Sequence, residues 1–134
     1  MYPRLVIDLK KLKSNLDAVA HITKDQGGCS LMIVTKGLCA DKEMAHMVAE
    51  HPAVDFVADS RVKNISTYAD QVRKNGKMTV LLRIPMHDEV AEVVKYADLS
   101  FNSELSTIRL LDSEAKKAGV CHKVLLMIDL GDLR

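Results

Sequence analysis

The chain has 134 residues, enough for one domain or one piece of a larger one. With 48% apolar, 28% charged and 4% aromatic residues, it has the make-up of a folded globular chain, not of a disordered, collagenous or disulfide-stapled one. Nineteen Lys and Arg against eighteen Asp and Glu leave a formal charge of +1, so no field recruits nucleic acid, and no apolar stretch approaches the roughly 20 residues of a membrane span.

Short apolar runs alternate with helical spacing along the chain. The run at 5–9 reads as an opening strand. Leu9, Leu12, Leu16 and Val19 then form one stripe of a first helix. A strand at 31–34 precedes Met44, Met47 and Val48, a helix with Asp41 as its N-cap. A strand at 54–58 leads to Val62, Ile65, Ala69 and Val72, one continuous helix behind Ser60 that ends before Gly76. A strand at 79–84 is followed by Val90, Val93, Val94 and Ala97 behind Pro85. The last pair is a strand at 99–101 and a helix carrying Ile108, Leu111, Ala115 and Ala118, behind Ser106 and closed by Gly119. The run at 124–130 is the best strand of all. The three cysteines, Cys29, Cys39 and Cys121, are too few and too widely spaced for a disulfide framework or a zinc site. With no secretory signal opening the chain, a reducing cytoplasm is expected.

Strands and helices joined by short connections predict right-handed βαβ units, a parallel sheet and the α/β class. Two architectures compete: a doubly wound sheet of flavodoxin type and part of a (β/α)₈ barrel. A doubly wound domain places a covering helix after its last strand. Only residues 131–134 follow the last run here, so the barrel is the expected fold.

Both folds place chemistry beyond the carboxyl ends of their strands. Lys36 is the informative residue there. At the end of a buried strand, desolvation turns a lysine amine into a nucleophile suited to Schiff-base chemistry, unless Nζ simply reaches past the strand to water. Asp59, Ser60 and Ser103 read first as helix N-caps, and Glu104 as a charge complementing a helix start. Asp129 and Arg134 flank a glycine turn, where a surface ion pair is the plain reading. Cys39 reads as a small packed side chain. The five histidines have no ligand spacing, so no metal site is expected. No GxGxxG, Walker or GxSxG motif occurs.

The wording Ile33-Val34-Thr35-Lys36-Gly37, behind Arg4-Leu5-Val6-Ile7-Asp8-Leu9, resembles the start of the alanine racemase family. The closing Asp129-Leu130-Gly131-Asp132-Leu133-Arg134, with Val57-Ala58-Asp59-Ser60-Arg61 and Arg83-Ile84-Pro85, is most similar to its ornithine racemase branch. The resemblance implies a pyridoxal 5′-phosphate enzyme built on a (β/α)₈ barrel, of which residues 1–134 would be the amino-terminal part, about five of eight βα units. It implies that Lys36 binds the cofactor as a Schiff base and acts as one of two acid–base groups on an amino-acid substrate. Arg134 would lie near the cofactor's phenolic oxygen. Met127 and Ala40 stand where alanine racemases often have a carbamylated lysine and a phosphate-touching tyrosine, which leaves the substrate open. A homodimer is expected, and residues 1–134 alone should be catalytically silent, with open sheet edges that favour self-association. A single-barrel pyridoxal-phosphate carrier is the alternative within the fold, and a small doubly wound binding module is the alternative outside it.

Overall fold

A computed structural model describes residues 2–131. Five strands form one parallel sheet: β1 (Met32–Val34), β2 (Phe56–Asp59), β3 (Met78–Leu81), β4 (Leu99–Asn102) and β5 (Lys123–Leu126). Their order is β1-β2-β3-β4-β5, each strand pairing with its neighbours in sequence. That order decides between the two architectures. A doubly wound sheet reverses direction at a switch point, whereas consecutive barrel strands never do. Right-handed crossovers between successive neighbours then put the helices on one face.

The helices are α1 (Leu9–Ala20), α2 (Lys42–Glu50), α3 (Val62–Ser66), α4 (Ala69–Lys74), α5 (Val90–Tyr96) and α6 (Leu105–Ala118). Asp8 caps α1, its Oδ1 accepting from the Lys10 and Lys11 amides at 3.0 and 3.1 Å. The helix continues into a wider π-helical turn at His21–Gln26. Asp41 caps α2 as expected, accepting from the Met44 amide at 3.1 Å. Gly119 ends α6 in the left-handed conformation (φ +67°), which a Cβ would disfavour. Leu16, Met44, Val48, Ile65, Val72 and Val93 pack with Val57 and Leu81 of the sheet into one core. Residues alternate along each strand, so Val34, Ala58, Val80 and Leu99, aligned in register, face away from that layer.

Three expectations are corrected. Residues 5–9 make no strand: Tyr2, Leu5 and Val6 are exposed and Leu9 already belongs to α1. An apolar alternation becomes a strand only where another strand supplies hydrogen bonds, and none pairs with it among the described residues. For the same reason the last run shortens. Beyond β5 the Met127 amide still reaches the neighbouring strand, at Asn102 O (2.8 Å), but Ile128 and Leu130 are exposed. The stripe from Val62 to Val72 is two helices. Ser66 Oγ and Thr67 Oγ1 bond back to the carbonyls of Lys63 and Asn64 at 2.8 and 2.7 Å, offering the backbone an alternative to the helix ladder. The break brings Tyr68 inward, where it is fully buried.

This packing predicts a contrast between two apolar truncations. Ile65→Ala should cost about 2–5 kcal/mol in chemical denaturation, while Leu5→Ala should stay within about 0.5 kcal/mol. Equal losses would show that residues 5–9 are packed after all.

Candidate active site

All five strands run in one direction, so their carboxyl ends share one edge. Thr35 and Lys36 follow β1, Asp59 ends β2, Arg83 follows β3 by two residues and Asn102 ends β4. The best-organised feature there is buried. Asp59 is fully inaccessible. Its Oδ2 accepts from the Thr35 hydroxyl at 2.7 Å, and its Oδ1 accepts from the Arg61 amide at 2.9 Å and Asn64 Nδ2 at 3.1 Å. The Thr35 hydroxyl proton is committed to Asp59, so the Tyr68 hydroxyl, 3.2 Å away, donates to Thr35 Oγ1. Burial pushes the Tyr68 phenol well above its ordinary value of 10.0, and the charge of Asp59 adds to this, outweighing the lowering effect of the Thr35 bond. Tyr68 therefore remains a donor at neutral pH. A buried carboxylate is tolerated only with such donors.

Thr35 is held by its backbone as well. Its amide donates to Ala58 O at 2.8 Å, and its carbonyl accepts from the amides of Leu38 and Ala40 at 3.1 and 3.2 Å. The chain winds around this carbonyl through a 3₁₀ turn, Lys36–Leu38, and then through two non-glycine residues with positive φ, Cys39 (+51°) and Ala40 (+54°). Left-handed backbone costs about 1–2 kcal/mol per residue with a Cβ, and such strain persists only where its surroundings fix it.

Lys36 is exposed at this edge, and its Nζ has no hydrogen-bond or ion-pair partner among the described residues. The expected burial at a strand end is not found, because β1 stops at Val34 and Lys36 already lies in the turn. An accessible, unpartnered amine suits attachment of a carbonyl cofactor. Cys39 is exposed, not packed. Asp59 is more than a helix cap, since its main partner is on β1. Ser60 and Ser103 cap nothing: the helices behind them start after Arg61 and Glu104 without side-chain cap bonds. Asp129 Oδ1 accepts from the Gly131 amide at 2.7 Å, a local turn. Arg134 lies outside the described residues.

Two further residues at this edge, Arg83 and Asn102, were given no role by the sequence. Arg83 donates to Ser60 O at 2.6 Å, to Ile84 O and to both carboxylate oxygens of Glu89, so its fork clamps the loop after β3 and is not free for an anion. Asn102 is fully buried. Its Nδ2 donates to Ser100 O and Oγ, whereas its Oδ1 has no partner among the described residues. Ser100 in turn lies 2.7 Å from His122 Nε2, while His122 Nδ1 meets Ala97 O at 3.1 Å; burial lowers the pKa of this histidine. A groove of about 690 Å³ at the opposite, amino-terminal edge includes His122, Arg73, Asp98, Glu114 and Lys117. Four of its charges form two pairs, Arg73 with Asp98 at 2.9 Å and Lys117 with Glu114 at 2.6 Å.

Comparison with known proteins bears on this edge directly. The family described as "Alanine racemase, N-terminal domain" matches residues 7–134. The chain belongs to this family. Its five strands are accordingly part of a TIM barrel. An ornithine racemase of Acetoanaerobium sticklandii is 43% identical over the whole chain, which covers 36% of that protein. A lysine racemase of Thermotoga maritima is 29% identical, again over the whole chain and 37% of the relative. The chain thus spans about a third of the length of the curated relatives it matches. No solved structure matches it. Among the described residues, no helix is long and apolar enough to cross a membrane.

The Arg83–Glu89 clamp gives the site a pH signature. Hydrogen bonding to Arg83, aided by the Met86 amide, holds the Glu89 carboxyl below its ordinary 4.5 despite burial. The native state then binds fewer protons than the unfolded one, so this stabilisation is present above pH 4.5 and is lost as pH falls through the native value. Glu89→Gln should therefore be less stable than the parent at neutral pH and lose less stability on acidification, measured by denaturation at several pH values. Identical slopes would contradict the clamp.

Proposed function

We propose that this sequence is the lysine-bearing part of a pyridoxal-phosphate-dependent amino-acid racemase, with ornithine as its substrate. The observation that carries the reading is Lys36: an accessible amine, without a partner among the described residues, at the carboxyl edge of a barrel sheet and directly after a residue bonded through its amide, carbonyl and hydroxyl. Membership of a racemase domain family supports the reaction class. The greater likeness to an ornithine racemase than to a lysine racemase supports the choice of substrate.

Bound pyridoxal phosphate supplies the electron sink for the pair left when the substrate Cα–H bond breaks. The chain's own contribution is orientation and proton handling. Lys36 Nζ is the covalent anchor and, while substrate occupies the site, holds or delivers one proton at the substrate Cα. Racemisation needs a second such group on the other face of Cα. Arg134 enters on its sequence motif alone, as the cation that helps keep the cofactor's phenolic oxygen ionised. Arg83 does not bind the cofactor phosphate in this reading, because Glu89 already occupies its fork. Residues 1–134 alone are inactive, since the loops that bind phosphate in such barrels follow late strands. The complete enzyme works as a cytoplasmic homodimer, the compartment inferred from the cysteine usage.

In the full-length protein supplied with L-ornithine and pyridoxal phosphate, polarimetry should show loss of optical activity. Lys36→Ala should lower that rate by about 10³-fold or more, as expected for the loss of a group that both anchors and transfers a proton. Undiminished racemisation by the variant would contradict the assignment. Cofactor binding with no racemisation of any amino acid would favour a carrier instead.

A further inference from the structure

Thr35 is bonded through its amide, its carbonyl and its hydroxyl, and the strand ladder itself requires no hydroxyl there. Valine has nearly the same shape, suits a strand end at least as well and brings no polar group to bury. Yet Thr35 is fully buried, gives its proton to Asp59 at 2.7 Å and accepts the proton of Tyr68 at 3.2 Å. The Asp59 carboxylate is in turn fixed by the Arg61 amide and by Asn64 of α3. The turn beyond Lys36 closes on the Thr35 carbonyl through Leu38 and Ala40, at the cost of two left-handed residues. The chain is thus tethered immediately before Lys36 by side-chain and backbone bonds, and just after it by the strained turn. Lys36 is exposed between these two restraints.

We propose that Thr35, held by Asp59 and Tyr68, is a positioning residue for Lys36. The hydroxyl chain Tyr68–Thr35–Asp59 fixes the backbone from which the lysine projects, and so sets the direction of approach of Nζ to the cofactor and to the substrate Cα. This rests on the reading of Lys36 as the cofactor amine. A tether that only staples β1 to β2 would affect stability alone. A tether that aims Lys36 must affect the chemical step, because misplacing a reacting group by about 1 Å costs about 100-fold in rate.

The experiment uses the full-length protein loaded with pyridoxal phosphate. It compares the parent with Thr35→Val, Thr35→Ser, Tyr68→Phe and Lys36→Ala. Thr35→Val removes the hydroxyl at constant volume, Thr35→Ser keeps the hydroxyl, and Tyr68→Phe removes only the bond that reaches Thr35 from behind. For each, kcat, KM, thermal midpoint and the pH dependence of the cofactor's visible absorption are recorded. Thr35→Val should lower kcat by about 10- to 100-fold, with KM changed much less, and should shift the pH at which the absorption changes. Thr35→Ser should restore kcat to within about 3-fold, and Tyr68→Phe should show a smaller loss in the same direction. If Thr35→Val does not fold, Tyr68→Phe and Thr35→Ser decide the matter by the same readouts. A lowered thermal midpoint with unchanged kcat and unchanged absorption profile would overturn the positioning role and leave the Lys36 reading intact. An absorption band of the parent that survives in Lys36→Ala would overturn both.

Discussion

The carboxyl edge of this sheet depends on one buried carboxylate. Asp59 sits at the end of β2 with no access to water. A charge in that position is tolerated only while its donors stay in place. Those donors come from three directions: the Thr35 hydroxyl beyond β1, the Arg61 amide at the start of α3 and the Asn64 side chain within it. Satisfying one residue therefore fixes the end of β1, the entry into α3 and, through Thr35, the position of Tyr68. The interruption between α3 and α4, where Ser66 and Thr67 bond back to the preceding turn, is the point from which Tyr68 reaches Thr35.

The sheet converts this local constraint into a site. With β1 to β5 in sequential order and all parallel, every strand delivers its last residues to one edge. Lys36, Asp59, Arg83 and Asn102 come from four different strand ends, yet their roles separate sharply. Asp59 and Arg83 are committed to the scaffold, one inside it and one across the loop after β3. Lys36 is left with an amine that has no partner among the described residues. A barrel edge built in this way holds Asp59 and Arg83 in fixed pairs and leaves the Lys36 amine accessible.

The α/β pattern was legible because both layers of such a fold leave plain marks: continuous apolar runs for strands covered by helices, and apolar stripes for the helices that cover them. The element boundaries at Asp41 and Gly119 were also legible, since each rests on a local device that its own side chain, or lack of one, supplies. Where a strand depends on a partner, the sequence misled. Residues 5–9 and the end of the 124–130 run have strand composition, but they lack paired neighbours among the described residues. The break before Tyr68 was invisible for a different reason. Its marks, the back-bonds of Ser66 and Thr67 and the contact of Tyr68 with a residue 33 positions away, leave no trace in the apolar spacing of Val62, Ile65, Ala69 and Val72. At the site, Lys36 drew notice from its place after a strand, while the bond that joins Thr35 to Asp59 went unread. A threonine next to a strand and an aspartate before a helix have common local explanations, and only the 2.7 Å contact between them displaces those explanations.

The central claim is that the fold prepares one lysine among many for a carbonyl cofactor. Reductive trapping tests it most directly: the full-length protein is incubated with pyridoxal phosphate and reduced with borohydride, and the labelled peptides are mapped by mass spectrometry. The account predicts a pyridoxyl adduct concentrated on Lys36. Labelling spread over the surface lysines, with Lys36 unmodified, would contradict it.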